Sequence, residues 1–89
     1  MKMETVKRVL ESMPPEFDSH QFIERFIREN EREYVELLSV QKDSQAIFRD
    51  VHAMIARHLT KIKDVEKAGR VQSENIKGYE SENQNWRKL

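Results

Sequence analysis

Three histidines, a run of carboxylates interleaved with arginines, and a set of cations in the second half are the residues here that could do chemistry. His52 and His58 stand six positions apart, a rotation of about 240° on a helix, so they do not face one metal ion. His20 falls on a different segment, and the chain has neither an HExxH pattern nor any cysteine. Zinc sites of the common kinds and disulfide bracing are therefore removed, and no metal or cofactor is expected. His58 reads as the edge of a buried stripe, and His52 as a surface or groove residue.

Catalysis finds little to work with. Phosphate-cradling loops need clustered glycines, whereas Gly69 and Gly78 stand alone. Glu24, Glu29, Glu31, Glu33 and Glu36 alternate with Arg25, Arg28 and Arg32. Such alternation on a helix marks a solvated, ion-paired face, at ~0.3–0.5 kcal/mol per pair. No serine, threonine or histidine stands out as a base-activated nucleophile. A non-enzymatic chain is the expectation.

The cations say more. Sixteen basic and sixteen acidic side chains cancel over 89 residues, so no global field attracts nucleic acid or anionic membrane. They are unevenly placed: residues 1–42 hold seven basic and nine acidic groups (7 − 9 = −2), and residues 43–89 hold nine and seven (9 − 7 = +2). Arg49, His52, Arg57, Lys61 and Lys63 lie off the apolar stripe of their segment or beyond its end. A last turn rich in cations also opposes the helix dipole favourably without any partner.

The elements that must position these groups follow from the apolar spacing. At 89 residues one domain is expected, burying ~60–65% of its unfolded surface. Val6, Val9, Leu10 and Met13 form one stripe of a helix over about 4–13, ended by Pro14. Asp18 as N-cap with Gln21 at N3 forms a capping box, and Phe17 with Phe22 a hydrophobic staple. From there the stripe Phe22, Ile23, Phe26, Ile27, Tyr34, Leu37 and Leu38 predicts one helix over about 19–41, ~34 Å long, with a break near Asn30 as the alternative. Asp43 or Ser44 would cap a third helix, 44–62, with the stripe Ile47, Phe48, Val51, Met54, Ile55, Leu59 and Ile62.

Beyond Ile62 the periodicity fails. A short hairpin turning near Ala68-Gly69, flanked by Val65 and Val71, competes with a helical turn capped by Ser73 and closed by Gly78. Trp86 and Tyr79 sit in a polar tail, where each either folds back on the helical body or anchors a partner. The fold class expected is mainly α: three helices with a short C-terminal β-hairpin or irregular segment over 63–89. An all-α bundle is the alternative. The start "MKMETVKRVL" has no apolar signal core and no apolar run is long enough to span a membrane, so a cytoplasmic chain without membrane contact is expected.

A helix, a tight joint, an exposed basic helix and a hairpin resemble, in order, the winged-helix class of helix-turn-helix readers. The resemblance implies that Arg49, His52 and Arg57, with Lys61 beyond them, face a DNA groove while Lys67 and Arg70 meet phosphates from the wing. The same architecture used for protein contacts is the neighbouring expectation, with Tyr79 and Trp86 as candidate contacts. The other expectation is a homodimer through the second helix, lined by Val35 and Val40.

Overall fold

The computed structural model describes residues 1–89. Helix α1 (Met3–Ser12) buries Val6, Val9 and Leu10, and Met13 just beyond it, before Pro14 turns the chain. Next comes a short strand, β1 (Glu16–Asp18), then α2 (Ser19–Glu29). The capping box is complete: the Asp18 carboxylate accepts from the Gln21 N–H at 2.9 Å, and the Gln21 side chain accepts from the Asp18 N–H at 2.8 Å. Phe17 and Phe22 stack with centroids 6.0 Å apart, which fixes the angle at which the chain enters the helix.

The single long helix over 19–41 is not formed. Asn30 leaves helical geometry (φ −137°, ψ 52°), and a separate helix, α3 (Glu31–Val40), begins there. The polar run at 28–33 puts no large apolar side chain into the core, so nothing there rewards straightness. Asn30 satisfies the break locally, giving both its backbone N–H and its side-chain amide to the Phe26 carbonyl. The bend brings Leu37 into the core and Tyr34 against His52 of α4 (Ile47–Arg57).

The third predicted helix is also shorter than 44–62. Helix α4 (Ile47–Arg57) is followed by a 3-10 turn, His58–Lys61. Ser44 organises the joint instead of capping: its hydroxyl accepts from the Ala46 N–H at 3.0 Å and donates to Asp50. Val51, Ile55, Leu59 and Ile62 are buried as the stripe predicts, whereas Phe48 is 46% exposed.

The largest correction concerns the last third. Instead of a short hairpin or a helical turn, β2 (Val65–Glu74) and β3 (Glu80–Lys88) form a long antiparallel ladder that turns at residues 75–79. Ala68 and Gly69 make a bulge within β2, where Gly69 takes φ +93°. Strand β1 pairs with β3, Phe17 opposite Trp86, so the sheet order is β1–β3–β2. The molecule is therefore α+β, four helices with a three-stranded antiparallel sheet, and not a mainly α three-helix domain or bundle. One core of 15 residues joins all of these elements.

Candidate nucleic-acid interface

The sheet is fastened to α2 by polar contacts. Trp86 gives its indole N–H to the Ser19 hydroxyl at 2.9 Å, and Ser19 donates to the Gln84 carbonyl at 3.3 Å. Buried Asn83 accepts from the His20 N–H at 3.2 Å and donates to the Ser73 hydroxyl at 3.0 Å. The His20 ring lies between two hydroxyls, Ser73 at 2.9 Å and Ser81 at 3.3 Å. Both its nitrogens are thus occupied by serines, with no carboxylate to orient it as a base, so the contact ties α2 to the hairpin.

Ser19, His20, Asn83, Gln84 and Trp86 floor a groove of about 580 Å³ between α4 and the β2–β3 hairpin. Along α4 it is lined by Phe48, Arg49, His52, Ala53, Ala56 and Arg57, and the facing wall carries Lys67, Arg70 and Lys77. Small alanines in the middle of the helical wall, with an arginine towards each end, leave the α4 backbone approachable. Glu82 is the only carboxylate on the lining, and it pairs with Arg70 at 3.0 Å. Arg49 pairs with Asp50 at 3.2 Å, whereas Arg57, Lys67 and Lys77 have no acidic partner. The groove is cationic in a chain whose total charge is zero. The compensating acids gather elsewhere: a second concavity at the α2–α3 bend is lined by Glu29, Glu31, Glu33 and Glu36.

The hairpin tip leans on α4. Asn75 builds the turn, its side-chain oxygen accepting from the N–H groups of Lys77 (3.0 Å) and Tyr79 (3.1 Å). Gly78 supplies the φ of +86° that closes it. Lys77 is thereby carried to 5.6 Å from the Phe48 ring centroid, a cation–π distance. Behind Phe48, His52 stacks on Tyr34 with centroids 5.8 Å apart, and the Tyr34 hydroxyl lies 2.7 Å from His52 Nε2. Burial, then Lys77, then His20 hold the His52 imidazole below its ordinary value, and burial pushes the Tyr34 phenol up.

Of the residues singled out from the sequence, Arg49, His52, Arg57, Lys67 and Arg70 share this groove. Lys61, in the 3-10 turn, is not part of its lining. Tyr79 is 69% exposed beside the turn, whereas Trp86 is 3% exposed and belongs to the core that floors the groove. His20, Lys77 and Asn83 were not foreseen. Asn75 and Gly78 flank Ile76-Lys77, a turn signal that could have placed Lys77 at a hairpin tip. Nothing local could have placed His20 or Asn83, which meet across more than 60 residues. No group of three or more His, Cys, Asp or Glu is assembled that could hold a metal ion, and no helix is long and apolar enough to cross a membrane. No family model, curated protein or solved structure matches the chain.

Proposed function

We propose that this protein is a non-enzymatic DNA-binding module of the winged-helix class, contacting duplex DNA with the cations that line the groove between α4 and the β2–β3 hairpin. The observation that carries this reading is the convergence of Arg49, Arg57, Lys67, Arg70 and Lys77 on one groove against a single carboxylate. Arg49 and Arg70 are ion-paired, and gathering the three cations without an acidic partner, Arg57, Lys67 and Lys77, costs self-repulsion that a polyanionic partner relieves. The order of elements supports the class: helix, strand, helices, then a hairpin whose second strand lies between the other two. On this reading Arg49 and Arg57 approach base edges or phosphates from α4, and Lys67, Arg70 and Lys77 meet the backbone. A cytoplasmic setting goes with this reading.

Titration of a short duplex over a range of salt tests the proposal. Five phosphate contacts would give a slope of log affinity against log salt of about −4.5. Absence of any binding at low salt overturns it.

A second reading, self-association through α3, is favoured by Val35 and Val40, which are 59% and 78% exposed. It calls for a melting temperature that rises with protein concentration. A monomer by sedimentation at high concentration would remove it.

A further inference from the structure

His52 is a titratable side chain of the groove lining that is held on both ring faces. Its ring is held between Tyr34 of α3 and Phe48 one turn earlier on α4, with centroids at 5.8 and 6.0 Å. Nε2 faces the Tyr34 hydroxyl at 2.7 Å, and a neutral imidazole that accepts from that hydroxyl carries its proton on Nδ1. Nδ1 has no hydrogen-bond partner within the protein, and His52 lines the groove.

We propose that entry of a DNA phosphate into this groove is coupled to uptake of one proton by His52. The inference rests on the groove being the nucleic-acid site. In the free protein burial opposes an imidazolium most, followed by two neighbours, Lys77 from the hairpin tip and His20 from α2. No carboxylate offsets them. Glu82 is engaged by Arg70, and Asp50, on α4 itself, is engaged by Ser44 and Arg49. Arg49 and Arg57, on the same helix, add further positive charge to the groove.

A phosphate that pairs with Lys77 cancels the stronger of these two opposing charges. The imidazolium then has a donor for each side: Nδ1–H to a phosphate oxygen as a charge-assisted bond, and Nε2–H to the Tyr34 oxygen, whose own proton turns away. The Tyr34 and Phe48 rings that clamp it also favour a cation. Binding and protonation are reciprocal, so phosphate raises the proton affinity of His52 and protons raise the affinity for phosphate.

The test is fluorescence anisotropy with a short labelled duplex at fixed ionic strength, from about pH 8 down to about pH 5. Wild type should tighten as pH falls, by at most about tenfold per pH unit for one proton, and His52→Gln should bind with little pH dependence. Binding that is salt-sensitive but independent of pH in the wild type overturns the proton coupling and leaves the groove reading standing. So does a slope retained in His52→Gln. Failure to bind at any pH overturns both. Because His52→Gln also disturbs the Tyr34 contact, the His52 ring resonances of wild type are followed through pH with and without duplex. Their midpoint should move up in the complex, and a midpoint unmoved or lowered overturns the coupling.

Discussion

Trp86 and Ser19, 67 residues apart, meet in the core, the indole N–H donating to the serine hydroxyl at 2.9 Å. With the Ser19 hydroxyl donating on to the Gln84 carbonyl at 3.3 Å, the contact fastens β3 to the first residue of α2 at the floor of the groove.

Ser19→Ala should therefore leave a buried indole donor unpaired and destabilise the fold by about 1–3 kcal/mol. Trp86→Ala should cost about 3–5 kcal/mol through the cavity it leaves, and Trp86→Phe less than that. Urea unfolding followed by circular dichroism measures all three. A Ser19→Ala variant as stable as wild type would show that the indole finds another acceptor.

Asp18→Ala removes one half of the capping box and frees the Gln21 N–H at the start of α2. The expected loss is about 1 kcal/mol. Asp18→Asn, which keeps an acceptor oxygen, should recover most of it in the same unfolding measurement.

Arg57 lines the groove and Lys61 does not. Arg57→Ala should weaken duplex binding and lower the magnitude of the salt slope by about 1. Lys61→Ala, outside the lining, should do neither. Neither change should alter stability by more than about 0.5 kcal/mol. Equal effects on binding would mean that the DNA contact is not confined to the groove.

Stability without DNA should depend on pH through His52. Its folded-state affinity for protons is depressed by burial, Lys77 and His20, so between the folded and the ordinary histidine values the unfolded chain binds more protons. The stabilisation is thus present above the ordinary value and is lost as pH falls through the depressed one. Thermal melts across that window should show it, and His52→Gln should flatten the profile.

The helix start at Asp18 was legible because every group in it lies within five residues, and local bonding alone decides such a signal. The break at Asn30 was only half legible, since apolar spacing continues in phase across it. What decides it is whether a straight rod or a bent one returns Leu37 to the core, a property of the packed whole. The hairpin was misread for a different reason. On β3 the inward positions before Trp86 are Ser81 and Asn83, so the polar–apolar alternation that announces a strand is missing. Their partners, His20 and Ser73, lie on other elements.

By itself the sequence determined the apolar stripes, the cap at Asp18, the stop at Pro14 and the basic character of the second half, all matters of composition and near-neighbour spacing. Only the tertiary structure decided that β1 joins the sheet beside β3, that Trp86 is core, and that Arg49, Arg57, Lys67, Arg70 and Lys77 face one another across a groove. The reason is that strand pairing and side-chain convergence are contacts between distant residues, and a neutral total charge carries no record of where its parts come together.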